Sequence, residues 1–157
     1  MVRQVNQKSA WEQILRSGRQ LMSEAKDRNG EKDVPAFVAV EVGANTLSDA
    51  VEMSSFGFET HTFEPSPKAF SRMKSRFSNL RADKPEIAQN IFIYNYAVGE
   101  TDGEEIFFEN SGSTGAAVVS EQEAAKSHHP IVRVKTATLD SFFAGDVDPD
   151  VMLEPHF

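Results

Sequence analysis

Cysteine is absent from this chain of 157 residues, and so are several other features that assign a function at once. Without cysteine there is no disulfide scaffold, no cysteine-based zinc site and no thiol catalysis. The chain has no internal repeat and no low-complexity tract. It also lacks a glycine-rich phosphate loop ending in Lys-Ser or Lys-Thr and a nucleophile-elbow pattern, which argues against the enzyme classes built on those motifs.

Basic residues are few. The 24 acidic residues outnumber the 16 basic ones, the formal net charge is −8, and no basic stripe follows a predicted helix. Since a polyanion would be repelled, no nucleic acid partner is expected. The polar segment 1–10 lacks the apolar core of a signal peptide, and the apolar run 35–40 is too short to span a bilayer. A cytoplasmic protein without membrane contact is therefore expected.

Two groups of possible metal ligands have the wrong spacing. His128 and His129 are adjacent, point to opposite sides of an extended segment and have no obvious carboxylate partner. Asp146, Asp148 and Asp150 alternate like the start of a calcium loop, but the glycine and the distant glutamate of such a loop are absent. No metal site is predicted.

The chain does contain an alternation of helical and strand-like patterns, with 12 Phe and a hydrophobic fraction of 39%. Such a composition is that of a folded domain with a core, and the alternation favours an α/β fold. The helices are predicted at 9–27 with Ser9 as N-cap, at 46–56 closed by Gly57, from Pro67 onward with Ser66 as N-cap, at 121–127, and at 139–143 with Thr138 as N-cap. The strands are predicted at 37–42, 58–64, 91–97, 104–108 and 131–136.

The strands differ in their expected burial and pairing. The segment 37–42 is a near-continuous apolar run, which is typical of a strand buried on both faces of a parallel sheet. The segment 58–64 alternates in polarity, so it is expected to be less buried. The segments 91–97 and 104–108 are expected to form a hairpin-like extension.

Two carboxylates end successive predicted strands, Glu41 the first and Glu64, 23 residues later, the second. In open α/β sheets ligands bind beyond the carboxyl ends of the strands, and an acidic residue about 20 residues further on meets ribose hydroxyls in dinucleotide folds. A carboxylate can accept from both vicinal hydroxyls, and Gly43 would let a ligand approach the backbone. Alternatively, Gly43 is a turn residue that only needs unusual dihedral angles, and Glu64 is a solvated loop carboxylate.

Five stretches of the chain, in this order and spacing, resemble the FkbM-type family of S-adenosylmethionine-dependent methyltransferases. They are residues 41–45, 63–67, 95–99 with 102–103, 112–115 and 138–142. The agreement extends over roughly residues 37–153. The resemblance implies a Rossmann-like α/β methyltransferase fold, with S-adenosylmethionine as cofactor and a hydroxyl of a small molecule or sugar as acceptor.

The resemblance also implies a layout for the cofactor. Its methionine end would lie on Glu41 and the turn 43–45, its ribose on Glu64, and its adenine beside Tyr96 and Ala97. No catalytic residue is identified. The implied cofactor-binding residues are Glu41, Gly43, Ala44, Asn45, Glu64, Pro65, Tyr96 and Ala97.

The chain departs from the family pattern at two places. Leu47 stands where many members have glycine, and it is expected to pack into the core and to narrow the loop. After Leu153 the family continues into an apolar strand, whereas this chain has residues 154–157 with Pro155. The fold is therefore expected to be incomplete in its C-terminal half, with residues 1–35 as a helical extension and 36–157 as a truncated methyltransferase domain. The first strand would then have an open apolar edge that invites self-association.

Two alternative functions stay open on the sequence. The first is a non-catalytic Rossmann-like fragment that binds a partner through its open edge. The second is an NAD(P)-dependent oxidoreductase, which would require a Gly-x-Gly-x-x-Gly turn for the pyrophosphate. This chain offers only Gly43 for that turn, which favours the methyltransferase.

Overall fold

The computed structural model describes residues 7–29, 37–108, 118–126 and 130–147, and all elements named below belong to these ranges. The helices are α1 (Gln7–Asn29), α2 (Ser48–Ser55), α3 (Pro67–Asp83), α4 (Pro85–Ala88), α5 (Glu121–Lys126) and α6 (Leu139–Ala144). The strands are β1 (Val38–Val42), β2 (Glu59–Phe63), β3 (Ile91–Tyr94), β4 (Ala97–Val98), β5 (Gly103–Phe108), β6 (Val118–Val119) and β7 (Ile131–Ala137).

Some of the sequence predictions concern residues outside the described ranges. These are the glycine-rich stretch 112–115, the pair His128 and His129, the proposed domain boundary at 35–36, and the residues from 148 onward, where the family's fourth core strand was expected to be missing or cut short.

The first sheet is parallel, with the order β1, β2, β3 and β2 in the middle. Its register places Ala39, Thr60 and Ile91 side by side on one face of the sheet. The next residue of each strand points to the other face, because side chains alternate along a strand. With α2 and α3 as the connections, the three strands form a βαβαβ unit.

Helices α2, α3 and α4 cover the first face of this sheet. The apolar stripe predicted for α3 is confirmed, and Ser66 caps the helix by accepting a hydrogen bond from the Ala69 backbone N–H at 3.1 Å. Pro67 occupies the first helical position, where its missing N–H costs nothing. The buried residues of this core are Ala44, Leu47, Ala50, Phe70, Met73, Phe77, Ala88, Ile91 and Ile93.

Helix α6 covers part of the second face. The ring of Phe142 meets the rings of Phe63 and Tyr94 edge to face, with centroid distances of 4.9 and 4.6 Å. The predicted N-cap of α6 is confirmed, since the Thr138 hydroxyl accepts from the Ser141 N–H at 3.0 Å.

A second, four-stranded sheet has the order β4, β7, β5, β6. The expected hairpin between the third strand and the segment 104–108 is wrong, because β5 pairs antiparallel with β7 and with β6. The predicted strand 91–97 is divided after Tyr94, and its last residue, Ala97, joins the second sheet as part of β4. Strand propensity indicated both segments, but it does not specify which strand each will pair with.

The relative burial of the first two strands is the reverse of the expectation. Thr60, Thr62 and Phe63 of the central strand are fully buried. The residues Val38, Val40 and Val42 of β1 are instead 50%, 38% and 56% exposed. Among the described strands, β1 lies at the edge of its sheet, and α6 packs on the part of the second face that β2 and β3 form.

Helix α1 packs on the outside of the βαβαβ unit. It begins at Gln7, so Ser9 lies inside the helix and the predicted N-cap there is wrong. Trp11 donates its indole N–H to the Glu52 carboxylate on α2 at 3.1 Å, and the ring of Phe58 lies against Gly18. None of the helices in the described ranges is long and apolar enough to cross a bilayer.

Candidate functional site

The loop between β1 and α2 lies over the carboxyl end of the central strand. The backbone N–H groups of Gly43 and Ala44 both donate to the carbonyl oxygen of Phe63, at 2.8 and 3.2 Å. Gly43 has a φ of +78°, and a Cβ built there would have no other atom within 4 Å. The glycine is therefore required by its dihedral angle and also faces open space that a ligand can enter.

Glu64, the residue after β2, is a buried carboxylate and not a solvated loop residue. It is 5% exposed, and each of its oxygens accepts one backbone hydrogen bond. Asn45 N–H donates to Oε2 and Ser66 N–H donates to Oε1, both at 2.8 Å. A carboxylate has about four acceptor positions, so these two hydrogen bonds alone do not saturate Glu64.

Asn95 holds the chain around Glu64 from the side of β3. Its amide group donates to the carbonyl oxygens of Glu64 at 2.7 Å and of Pro65 at 3.1 Å. The Glu64 N–H in turn donates to the Tyr94 carbonyl at 3.0 Å. This role of Asn95 was not predicted from the sequence. The sequence signal that could have indicated it is the position of Asn95 directly after a buried strand. The neighbouring strands carry the carboxylates Glu41 and Glu64 at the same edge of the sheet.

Glu41 faces α2 from the penultimate position of β1. Burial raises the pKa of this carboxyl group to about 7, and the negative charges of Asp49 and Glu64 act in the same direction. The Thr62 hydroxyl, which donates to Glu41 Oε2 at 3.4 Å, opposes that rise. A carboxyl group that is partly protonated near neutral pH, beside an open turn, is a common feature of functional sites.

Leu47 packs into the core, as expected from its departure from the family pattern. It is 2% exposed and has a left-handed backbone with a φ of +66°. This dihedral region is favourable for glycine and costly for a branched residue. Helix α2 therefore begins at Ser48, two residues after the predicted start at residue 46.

The structure brings six of the eight predicted cofactor residues to one edge of the first sheet. They are Glu41, Gly43, Ala44, Asn45, Glu64 and Pro65. The other two, Tyr96 and Ala97, follow the end of β3. Tyr96 is 3% exposed in the aromatic cluster under α6, and Ala97 is 6% exposed beside Phe107 and Val134. A contact of these two residues with an adenine stays a prediction.

Two arginines of α3 also reach this site and were missed. Arg76 donates to the Thr46 carbonyl at 3.0 Å, and Arg72 lies 3.4 Å from the Asn45 side-chain oxygen. On the sequence they form part of a polar helix face, and nothing in that pattern distinguishes them from solvated charges.

A parallel βαβαβ unit with a glycine turn after its first strand and a buried acidic residue after its second defines a Rossmann-like α/β protein of the kind that binds nucleotide cofactors. A family model described as "Methyltransferase FkbM domain" matches residues 30–152. The chain therefore belongs to the FkbM methyltransferase domain family. This result confirms both the family and the fold class that the sequence predicted.

The comparisons with individual proteins add little to the family assignment. No curated protein matches the chain. Among solved structures, the crystal structure of the glycopeptide N-methyltransferase MtfA is similar to 79% of this chain and 81% of that chain, with 10% sequence identity and a TM-score of 0.34.

Proposed function

We propose that this protein binds S-adenosylmethionine and transfers a methyl group to a hydroxyl of a small molecule or sugar. The observation that carries the proposal is the buried carboxylate of Glu64, fixed by two backbone N–H groups directly beside the open turn at Gly43. A fixed acceptor at the carboxyl end of a parallel strand suits the vicinal hydroxyls of a ribose. Charge-assisted hydrogen bonds of this kind contribute roughly 1.5–3 kcal/mol each.

The residues at this edge fit S-adenosylmethionine better than a dinucleotide. A dinucleotide needs several glycines to admit its pyrophosphate, but in a Gly-x-Gly-x-x-Gly turn that begins at Gly43 the other two glycine positions are occupied by Asn45 and Ser48. A cofactor without a pyrophosphate needs only the opening at Gly43. When bound, S-adenosylmethionine supplies an electrophilic methyl group on a sulfonium, so the chain's main task is to position the reactants.

Glu41 is proposed to meet the methionine end of the cofactor, which carries an ammonium group. A nearby cation favours the ionised form of a carboxyl group. Since the pKa of Glu41 is about 7 without that cation, binding near neutral pH should release a proton from Glu41. Tyr96 is so deeply buried that an adenine beside it would meet its backbone and not its ring face.

The first experiment is calorimetric titration of the purified protein with S-adenosylmethionine, S-adenosylhomocysteine and NAD. We expect both adenosyl ligands to bind and Glu64→Gln to weaken their binding about tenfold or more, as expected for a lost charged hydrogen bond. Glu59→Gln is the matched control, because Glu59 lies at the opposite end of the same strand. Binding of NAD alone would instead support the oxidoreductase.

The acceptor is tested by a separate measurement. S-adenosylhomocysteine formation is followed with a panel of sugars and hydroxylated metabolites, and mass spectrometry locates the methyl group on oxygen or on another atom. Methylation of nitrogen alone would contradict the hydroxyl acceptor while leaving the cofactor proposal intact.

The exposed row of valines on β1 favours one alternative function, a Rossmann-like module that binds a partner without catalysis. The two proposals differ in their ligand. A folded protein that binds none of the three cofactors in the titration would support the module and contradict the methyltransferase.

A further inference from the structure

The loop 43–47 has a backbone that its own sequence does not favour. Besides Gly43, it contains two residues with a side chain and a positive φ, Asn45 at +46° and Leu47 at +66°. Asparagine tolerates this region moderately well, but leucine does not. A loop in such a conformation persists only where its surroundings determine it.

Contacts on the side of the loop that faces the sheet account for part of this conformation. Leu47 is anchored in the core, and the Asn45 N–H is bound to Glu64. Both contacts lie toward the sheet. Neither of them holds the carbonyl of Thr46 or the side chain of Asn45.

Contacts on the outer side come from α3. Arg76 donates from Nη1 to the Thr46 carbonyl at 3.0 Å, and Arg72 donates from Nη2 to the Asn45 side-chain oxygen at 3.4 Å. The two arginines are four residues apart on one helix, so they lie on the same face and act on consecutive residues of the loop. A guanidinium group makes charge-assisted hydrogen bonds, which are stronger than those between neutral groups.

The same helix is tied to the other half of the site. Its N-cap residue, Ser66, donates its backbone N–H to Glu64 Oε1, the oxygen not used by Asn45. Helix α3 therefore holds the loop 43–47 through its second and third turns and Glu64 through its N-cap residue. A displacement of the loop away from α3 would lengthen or break the arginine contacts.

We infer that Arg72 and Arg76 are positioning residues that hold the loop 43–47 in its ligand-ready form, an inference that rests on the proposed cofactor site. They act through the loop and do not touch the ligand. Arg76, with the shorter contact to a backbone atom, has the larger effect of the two.

The test compares Arg76→Met, Arg76→Lys and the control Arg81→Met, which removes an exposed cation from the last turn of the same helix. Hydrogen exchange of peptides that span residues 43–48 reports the loop, and calorimetry with S-adenosylhomocysteine reports the site. For Arg76→Met we expect faster exchange in the loop, unchanged exchange in β2 and α3, and about three- to tenfold weaker binding, as expected for a partly exposed charged contact. Arg76→Lys retains a charged donor and should recover most of both effects, and Arg81→Met should change neither.

The outcomes separate this inference from the proposed function. Loop exchange in Arg76→Met equal to that of the parent protein would overturn the positioning role, and so would an equal increase in β2 and α3. If the parent protein binds no S-adenosylhomocysteine but loop exchange still rises in Arg76→Met, the positioning role stands and the cofactor proposal fails. Arg72→Met combined with Arg76→Met should exceed either single change.

Discussion

Glu41 makes the stability of this protein depend on pH in a defined direction. Its pKa is raised from 4.5 to about 7 in the folded state, so folding favours the protonated form. The stabilising contribution is complete below about pH 4.5, declines as the pH rises, and is lost above about pH 7. Glu41→Gln removes this dependence and should be more stable than the parent at pH 8 by on the order of 2 kcal/mol.

Urea unfolding of the two proteins at several values between pH 5 and pH 8 measures this difference. The gap in the free energy of unfolding should widen as the pH rises toward about 7 and then level off. The titrations of Asp102 and Glu123, whose pKa values are lowered by hydrogen bonds, are common to both proteins and cancel. Glu100→Gln, at an exposed loop position, serves as the control. A gap that stays constant with pH would exclude Glu41 as its source.

Leu47 combines a favourable side chain with an unfavourable backbone. Leu47→Ala loses a buried side chain and should cost about 2–4 kcal/mol of unfolding free energy. Leu47→Gly loses the same contacts but relieves the left-handed strain, which is worth roughly 1–2 kcal/mol. In a helix or strand, a glycine variant is normally less stable than the alanine variant at the same position, by about 0.5–1 kcal/mol. Here we expect the order to reverse.

Denaturant unfolding of both variants checks the order directly. Ser48→Ala against Ser48→Gly is the matched comparison, since Ser48 is the exposed first residue of α2 and its backbone is helical. The ordinary preference for alanine should hold there. If Leu47→Ala proves the more stable variant, the strain assigned to residue 47 is wrong.

At the scale of elements, the sequence predicted best where local chemistry decides the outcome. Helix α3 has an apolar stripe, a serine cap and a proline at its first position, and all three appear in the structure. The partners of β4 and β5 were missed because pairing depends on distant segments, not on the local pattern. The acidic ends of β1 and β2 were found from their position, whereas Asn95 and Arg76 were not, since their roles depend on what the fold brings next to them.

The contact of α1 with Phe58, the residue before β2, depends on the absence of a side chain at Gly18. A Cβ built there would lie 2.4 Å from Cζ of Phe58, well inside the normal contact distance. Alanine favours a helix by about 1 kcal/mol over glycine, but this gain requires the Phe58 ring to move. We expect the clash to dominate, so Gly18→Ala should lower the unfolding free energy by about 1 kcal/mol or more.

A double-mutant cycle with Phe58→Leu tests the cause. The smaller side chain should remove the clash, so Gly18→Ala should then become neutral or stabilising. Ser17→Ala, at the exposed neighbouring position of α1, should be neutral or slightly stabilising in both backgrounds. An equal loss from Gly18→Ala with and without the Phe58 ring would show that the ring is not the obstacle.

At the scale of the whole molecule, β1 is the least protected element of the first sheet. Within the described ranges it pairs only with β2, and three of its five residues are valines that are 38% or more exposed. An unpaired edge next to an apolar face favours association with another strand. We therefore expect two copies of the chain to associate through β1, with the valine rows brought together.

Sedimentation velocity over a range of protein concentrations tests this association. The parent protein should show a sedimentation coefficient that rises with concentration, and Val40→Lys should sediment as a monomer because a charge in the middle of the row cannot be buried without a partner. Ile131→Lys is the matched control, since Ile131 is 50% exposed on a strand of the other sheet. A parent protein that is monomeric throughout, or an Ile131→Lys variant that dissociates as completely as Val40→Lys, would exclude β1 as the contact.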